Sequence, residues 1–399
     1  MAQRIDKVYE DAVASGLLPG VSVFAGNKDG EVIYSKSLGK ASLQKGREDD
    51  FTPSTLCGIA SMSKLMTAVA VLQCVEQGKL DLDENLRPRF PEMGQYGIIT
   101  GFDEQDKAIF KSDSTPISLR TLLSYTSGHE YDWANPLLGK WRSQRNEGFW
   151  HGRTIEEKTA IPLTHAPGTR FTYGGHCDWA GKVIQVAMGM SLDEFMRIYI
   201  WTPLRIEKDA SFYPKTNPGM KDRIADTSTL NEKGEGPAME SDFDILFGGT
   251  DCFGGAGIFA SAEAYYTFLS AVFRRDSRLL TPESYTELFR PQLNETTEQA
   301  FNDYLYKNPM LEQYLALGIP RNIRKTWCFA GMICLSGQEG RFEKGTTFWA
   351  GAMCCKWFMD HEAGVCGTAL CQVIPPMHPA IMSLHEEFQR GVLEIAKSK

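Results

Sequence analysis

The hydrophobic pattern of this 399-residue chain predicts short, separate elements near its N-terminus. Residues 4–15 have the spacing of an amphipathic helix, which ends at Gly16. Residues 20–42 contain two β-rich runs about a turn of asparagine, aspartate and glycine, a pattern typical of a hairpin. A second helix is predicted to begin at Ser61 and end near Gly78, because its middle is apolar almost all round.

The pattern changes between about 80 and 320, where helical stretches alternate with long loops rich in glycine and proline. The charged segment 101–115 is predicted to be an exposed loop. Strand-like runs return after Lys325, separated by turn residues, and predict an antiparallel meander. The helical stretches are 116–125, 178–188, 261–274 and a final 379–397, and the late strand-like runs are 326–337, 346–360 and 364–374.

These elements predict an α+β fold, with a central antiparallel sheet flanked by helices. Residues 1–80 and 325–399 would together form an α/β sandwich domain built from both ends of the chain. Residues 81–324 would form an inserted, mainly helical and loop-rich domain that lines the active-site cleft.

Composition restricts the possible partners and surroundings. A formal net charge of -8, without any basic run, argues against nucleic acid or an anionic membrane as a partner. No apolar stretch approaches the ~18 residues that span a bilayer, and the charged N-terminus does not resemble a signal peptide, so a cytoplasmic location is expected. The ten cysteines are then expected to be reduced thiols. Without a C-x-x-C or H-E-x-x-H motif, no metal site is expected.

Ser61 and Lys64 are the first candidates for chemistry. Three residues is close to one helical turn, so the two side chains would share a face. A serine at a helix start has a free backbone N–H that can hold an oxyanion, and a nearby desolvated lysine can take its proton. The alternative is that Ser61 caps the helix and Lys64 is an ordinary surface cation.

Two further segments could complete such a site. Tyr173 follows a Pro-Gly turn and precedes a helix, so it could exchange protons with Lys64, or it could be a half-buried aromatic residue. Gly351 lies inside a predicted strand, where glycine often marks close approach to the backbone, or a bulge. The N–H of Gly351 or Ala352 could then form the second half of an oxyanion hole.

Other glycine turns occur at 122–133 and 251–261. The second contains a lone G-x-G without the strand-turn-helix context of a dinucleotide site, so no cofactor is expected. The absence of G-x-S-x-G argues against an ordinary α/β-hydrolase. Three tryptophans of the middle segment could line a pocket or form a satellite core, namely Trp133, Trp141 and Trp150.

In this order the segments resemble the serine β-lactamase and penicillin-binding-protein superfamily, and most closely its class C-like esterases and acyltransferases. The S-x-x-K motif is at 61–64, and Tyr173-Gly174-Gly175 stands where the family has Tyr-x-Asn. Trp349-Ala350-Gly351 stands at the K-T-G strand, and Tyr125 at the usual histidine of L-L-x-H-T-S-G. Segments 72–86, 171–182 and 252–261 are similar to fungal acyltransferases of lovastatin biosynthesis, and the likeness covers nearly the whole chain.

The resemblance implies a β-lactamase-like fold and a site in which Lys64, coupled to Tyr173, activates Ser61 as the nucleophile. It implies acyl transfer from an ester or a thioester, such as a carrier-protein or CoA thioester, to the hydroxyl of a bulky small molecule of polyketide type. Trp349 and Gly175 replace polar groups that orient a β-lactam, so penicillin hydrolysis is not expected. The residues expected to bind substrate are Trp349, Ala350, Tyr125, Phe253, Gly174, Gly175 and His176.

Two other functions remain open at this point. An esterase or amidase would use the same serine, lysine and tyrosine, with water in place of the acceptor alcohol. A non-catalytic binding protein on a degenerate fold of this kind is the second alternative, although the intact Ser61, Lys64 and Tyr173 argue against it.

Overall fold

Strands from both ends of the chain and helices from its middle make up the computed structural model, which describes residues 2–47 and 49–398. The strands are β1 (Gly20–Asn27), β2 (Val32–Gly39), β3 (Leu56–Gly58), β4 (Ile98–Phe102), β5 (Ala108–Lys111), β6 (Ala210–Ser211), β7 (Ser228–Thr229), β8 (Met239–Glu240), β9 (Phe259–Ser261), β10 (Lys325–Cys328), β11 (Gly331–Cys334), β12 (Thr347–Gly351), β13 (Cys355–Asp360), β14 (Val365–Leu370) and β15 (Val373–Ile374).

The helices are α1 (Ala2–Ala14), α2 (Ser63–Glu76), α3 (Leu119–Leu123), α4 (Pro136–Ser143), α5 (Ile155–Thr159), α6 (His176–Met188), α7 (Leu192–Met196), α8 (Thr202–Leu204), α9 (Ala262–Phe273), α10 (Pro282–Phe289), α11 (Glu295–Leu305), α12 (Pro309–Leu315) and α13 (Pro379–Lys397). Short 3₁₀ turns occur at Ala60–Met62, Pro91–Gly94, Pro214–Thr216 and Lys221–Arg223, and a π turn at Arg197–Trp201.

The main sheet joins the two ends of the chain. Its seven strands run in the order β10-β11-β12-β13-β14-β1-β2, and each neighbouring pair is antiparallel. Side chains alternate between its two faces. Trp357 and Phe24 lie on the face that α9 covers, where Phe24 stacks on Tyr266. Phe358 and its neighbours lie on the other face, against Phe388 of α13. The predicted antiparallel sheet flanked by helices is confirmed.

Helix α2 lies in the middle of the molecule. Every residue from Ser63 to Cys74 is buried, as its all-round apolar pattern predicts. The helix begins at Ser63 rather than Ser61, because a 3₁₀ turn at Ala60–Met62 comes first. It ends at Glu76, close to the predicted end. Since β12 packs against the same 3₁₀ turn, the sheet and α2 meet at Ser61.

The segment 101–115 corrects one prediction. It is exposed, but it is not a loop, because Ile98–Phe102 and Ala108–Lys111 pair as an antiparallel hairpin. The division into domains at 80 and 325 stays a prediction, and α9 of the middle segment packs directly on β1 and β14. Within the described ranges, no helix has both the length and the apolar character needed to cross a bilayer.

Candidate active site

A sharp turn presents Ser61 between β3 and α2. Ala60 has a φ of 44°, in the left-handed region that a residue with a Cβ enters at a cost of about 1–2 kcal/mol. The turn is fixed on both sides, because Ile59 N–H donates to Ile258 O at 3.0 Å and Met62 N–H donates to Ile59 O at 3.0 Å. Ser61 is half-buried and faces a cavity. The strained backbone therefore serves to present this one side chain.

Lys64 lies directly beside Ser61. Its Nζ donates to Ser61 Oγ at 2.9 Å and to the Gly255 carbonyl oxygen at 2.6 Å. The residue is 4% exposed, so it is not a surface cation. The N-cap of α2 is Met62, without a side-chain capping bond, so Ser61 does not cap that helix. The structure thus excludes the alternative of a cap and a surface charge.

Tyr173 completes the group of side chains around Lys64. Lys64 Nζ lies 5.0 Å from the centroid of the Tyr173 ring. Trp349 Nε1 donates to the Tyr173 hydroxyl at 3.1 Å. Because an indole N–H can only donate, the tyrosine oxygen accepts this bond and its own hydrogen remains available for another partner. Tyr125 stacks on the tyrosine ring, with centroids 5.3 Å apart.

The end of β12 lies against the nucleophile turn. Gly351 is the last residue of the strand rather than an interior one, and an added Cβ would lie 2.3 Å from the Ile59 carbonyl oxygen. The close approach therefore requires glycine. Ala352, the next residue, lines the same cavity as Ser61. The backbone N–H groups of Ser61 and Ala352 donate to no acceptor in the described part of the chain, so both are available to a ligand.

A loop at 252–257 holds the other side of Lys64. Its Gly254 carbonyl accepts a hydrogen bond from Thr67 Oγ1 at 2.7 Å, and Gly255 N–H donates to Asp178 Oδ1 at 2.8 Å. Sequence reasoning identified this loop as a glycine turn but missed Thr67 and Asp178. Their positions in the sequence could have identified them, because Thr67 is one helical turn beyond Lys64 and Asp178 is the third residue of α6.

Burial governs the charge state of the surrounding groups. It raises the pKa of Asp178 to about 6, and the Lys64 and Lys158 charges and the Gly255 N–H oppose that rise. It lowers the pKa of His129 to about 3 and that of His176 well below its usual range. Both imidazoles are therefore neutral near pH 7. This agrees with a scaffolding position for the two histidines, away from the cavity wall.

The cavity in front of Ser61 has a volume of about 390 Å³ and a mostly aromatic and aliphatic wall. Of the residues expected to bind substrate, Trp349 and Ala350 lie in the wall. Trp133 and Trp150 line it too, whereas Trp141 packs in a separate small cluster. Sequence reasoning missed the remaining lining residues, which are Ala60, Tyr131, Phe149, Phe243, Ile245, Phe247, Ala256, Met310, Tyr314, Leu315, Leu317, Pro376 and Met377.

The other five residues expected to bind substrate lie behind this wall. Phe253 is fully buried and packs against the cavity-lining Trp150, with ring centroids 5.7 Å apart. Tyr125 and His176 pack together behind Tyr173, with centroids 4.6 Å apart. A Cβ at Gly174 would lie 2.8 Å from the Glu130 backbone, and one at Gly175 would lie 2.5 Å from Thr159. A direct contact of these five with substrate stays a prediction.

In the ranges 2–47 and 49–398, no three histidine, cysteine, aspartate or glutamate side chains form a group that could hold a metal ion.

This fold, with a serine, a lysine and a tyrosine at the junction of sheet and helices, is that of the serine β-lactamases. The chain belongs to the beta-lactamase family, whose sequence profile matches residues 5–384.

Similar proteins include two fungal enzymes and one solved structure. The ML-236A carboxylate methylbutanoyltransferase mlcH of Penicillium citrinum is 30% identical over 100% of this chain and 96% of its own. The lovastatin esterase of Penicillium rubens is 29% identical, with 97% of each chain covered. A solved structure of simvastatin synthase from Aspergillus terreus, a LovD6 mutant, has a TM-score of 0.90 at 28% identity, covering 99% of this chain and 95% of its own.

Proposed function

We propose that this protein is a serine acyltransferase, which moves an acyl group through an acyl-Ser61 intermediate to the hydroxyl of a bulky small molecule. One observation carries the proposal: Lys64 Nζ donates to Ser61 Oγ at 2.9 Å at the end of a large apolar cavity. A nucleophile with a base in hydrogen-bond reach is the arrangement that covalent catalysis requires. The similarity to fungal acyltransferases, among them a monacolin J acid methylbutanoyltransferase, supports the same reaction.

The first half-reaction loads the serine. Lys64, acting with Tyr173, takes the proton of Ser61 Oγ as that oxygen attacks the donor carbonyl. The N–H groups of Ser61 and of Ala352, at the end of the Gly351 strand, hold the oxyanion of the tetrahedral intermediate. The intermediate collapses when the bond to the leaving thiol or alcohol breaks. The proton held by Lys64 and Tyr173 passes to that leaving group.

The second half-reaction reverses these proton transfers. The acceptor hydroxyl enters the cavity and gives its proton to the Lys64–Tyr173 pair while its oxygen attacks the acyl carbonyl. Ser61 then leaves and recovers a proton, so no net charge is produced. The apolar wall favours an acceptor that displaces water and presents a large apolar surface.

The acyl donor is proposed only as a chemical class. A thioester on CoA or on a carrier protein, or a simple ester, would each supply a good leaving group for the first step. The acceptor part that enters the cavity is expected to be uncharged, because the lining residues carry no ionisable acid or base other than tyrosine.

The experiment that tests the proposal is intact-mass analysis after mixing with an acyl thioester, followed by addition of candidate alcohols. We expect an acyl adduct on the wild type that disappears as the alcohol ester forms. Ser61→Ala should form no adduct, and Lys64→Ala and Tyr173→Phe should form it at least ~100-fold more slowly. A persistent adduct on Ser61→Ala would refute covalent catalysis at this residue.

Hydrolysis is the second candidate, because the similar protein of Penicillium rubens carries the name lovastatin esterase. Both reactions share the acyl-enzyme and differ only in what takes the acyl group. The ratio of transferred to hydrolysed product, measured as the alcohol concentration rises, separates them. Hydrolysis that no acceptor reduces would favour the esterase.

A further inference from the structure

The peptide group between Gly254 and Gly255 is clamped on both sides. Its carbonyl oxygen accepts from Thr67 Oγ1 at 2.7 Å, and its N–H donates to Asp178 Oδ1 at 2.8 Å. Thr67 comes from α2 and Asp178 from the first turn of α6, so two helices hold one peptide. The next carbonyl along the chain, that of Gly255, accepts the hydrogen bond from Lys64 Nζ at 2.6 Å. Clamping the peptide therefore fixes the acceptor that positions the lysine.

Both glycines are needed for this close fit. A Cβ at Gly254 would lie 2.5 Å from the Cys177 carbonyl oxygen, and a Cβ at Gly255 would lie 2.9 Å from Asp178 Oδ1. These distances are shorter than ordinary contacts to a Cβ, and both involve groups of α6. The glycines thus allow the loop to lie directly on the N-terminal turn of that helix.

The carboxylate of Asp178 is fully buried, which is unusual for a charged group. Its Oδ2 atom has no hydrogen-bond partner in the described part of the chain, so the side chain is not held by an ordinary ion pair. An asparagine could accept the same Gly255 N–H bond without a buried charge. A buried carboxylate at this position therefore needs an explanation other than packing, and Lys64 lies one peptide away, bound to the Gly255 carbonyl.

We propose that Asp178 is a positioning residue for the acyl transfer described above: its ionised carboxylate, together with Thr67, holds the Gly254–Gly255 peptide so that Lys64 stays against Ser61. The inference rests on the proposed function, because it concerns the efficiency of Ser61 acylation. A hydrogen bond to an ionised acceptor is roughly twice as strong as a neutral one, so protonation of Asp178 loosens the clamp. Lysine has a long, flexible side chain, and a small displacement of its amine slows proton transfer.

The pH range of this effect follows from the surroundings of Asp178. Burial raises its pKa to about 6, so the carboxylate is ionised above that pH and protonated below it. Burial keeps Cys177 and Tyr131 protonated at these pH values, since the pKa of Cys177 rises to about 11 and that of Tyr131 well above its usual range. The charged or titratable groups facing Asp178 are Lys64 on α2, Lys158 on α5, Tyr131 in the loop after α3, and Cys177 on α6 itself.

The histidines near Asp178 do not change their charge near pH 6, where Asp178 is expected to titrate. Burial lowers the pKa of His129 to about 3 and that of His165 to about 4, and it lowers the pKa of His176 well below its usual range. A change of acylation rate centred near pH 6 is therefore assigned to Asp178. The variant that lacks the carboxylate provides the direct check.

The test measures the rate of Ser61 acylation by p-nitrophenyl butyrate between pH 5 and 8, using rapid quenching and intact-mass detection. We expect the wild-type rate to rise about fivefold as the pH increases through 6, the size expected when a neutral hydrogen bond becomes charge-assisted. Asp178→Asn should remain near the low-pH rate across the whole range. Thr67→Val is the matched control, because it weakens the same clamp without changing the charge: its rate should fall at every pH and keep the rise near pH 6.

Each possible result of this experiment supports or overturns the role proposed for Asp178. An Asp178→Asn enzyme with the wild-type rate at pH 8, or with the same rise near pH 6, overturns the inference. Loss of that rise in Thr67→Val also overturns it. A wild-type enzyme that forms no adduct on Ser61 refutes the proposed function itself, whereas a normal wild-type adduct with an unaffected Asp178→Asn variant refutes only the role of Asp178. Circular dichroism and the melting temperature confirm that each variant is folded.

Discussion

Lys356 is the residue whose replacement gives the most quantitative test of the fold. It lies on β13, on the face of the sheet that α13 covers, and is 2% exposed. Its Nζ finds no hydrogen-bond acceptor among the described residues. The nearest ring is that of Phe348, with Nζ 6.0 Å from the centroid. Burial, and then repulsion by Arg341, lowers its pKa from 10.5 to about 7, while Glu386 opposes the change.

The lowered pKa fixes both the sign and the size of the effect on stability. Between about pH 7 and 10.5 the unfolded chain holds a proton on this lysine that the folded chain has released. Stability therefore increases with pH in that window, by about 1.36 kcal/mol for each pH unit. The penalty of the buried lysine has an upper limit of roughly 4 kcal/mol at pH 7 and falls by roughly 2 kcal/mol between pH 7 and pH 9.

The perturbation is Lys356→Met, which keeps the length of the side chain and removes its charge. Urea unfolding at pH 7, 8 and 9 gives the free energy of unfolding of both proteins. We expect the variant to be more stable at pH 7, and the difference to shrink by roughly 2 kcal/mol at pH 9. Lys79→Met, at an exposed lysine, is the control and should change neither quantity. A difference that stays constant with pH, or a less stable variant, would refute the reasoning.

Four further predictions concern the site. Gly351→Ala should slow Ser61 acylation at least ~100-fold, measured by intact mass, because its Cβ would lie 2.3 Å from the carbonyl oxygen of the nucleophile turn. Trp349→Phe removes the hydrogen bond to Tyr173 and should slow acylation roughly tenfold with little change in melting temperature. An acceptor alcohol bearing a methyl ester should show a kcat/KM at least ~10-fold higher than its matched carboxylate, because the cavity wall offers the carboxylate no cation. Asp178→Asn should raise the free energy of unfolding at pH 7 by up to roughly 3 kcal/mol, because the folded pKa rises from 3.8 to about 6, and urea unfolding should show this gain vanishing below about pH 4.

The elements at the two ends of the chain could be predicted because each follows one clear periodicity. The predicted helix over 379–397 is α13, Pro379–Lys397, and the predicted hairpin at 20–42 is formed by β1 and β2. Both lie at the main sheet, where α13 buries one face and β1 is buried along almost its whole length. The 101–115 segment was misjudged because β5 is largely exposed, so its side chains show no alternation of buried and exposed positions. Its hairpin is supported by packing of Phe110 against Tyr96, with centroids 6.2 Å apart, which no local pattern reveals.

The site likewise combines contacts that follow from local sequence spacing with contacts that depend on tertiary packing. Ser61 and Lys64 are three residues apart, so helical geometry alone predicts their contact. The partner of Lys64 beyond that helix is not local, since Gly255 is 191 residues away in the chain. Asp178, which binds Gly255, is 77 residues from it, and the three meet only in the folded protein. Tyr131 and most of the apolar cavity wall were missed for this reason. They come from several loops whose relative positions depend on tertiary packing.

Lys356 and Asp178 are both buried ionisable residues, but removing them should have different consequences. Burial shifts the pKa of each in the direction that favours its neutral form. Lys356 is on the α13 face of the sheet and has no hydrogen-bond partner among the described residues, so its removal should stabilise the fold without affecting acylation. Asp178 instead accepts the N–H of the residue whose carbonyl holds Lys64, so its removal should stabilise the fold and slow acylation together. Measuring stability and acylation on both variants therefore separates a charge that only destabilises the protein from one that the reaction requires.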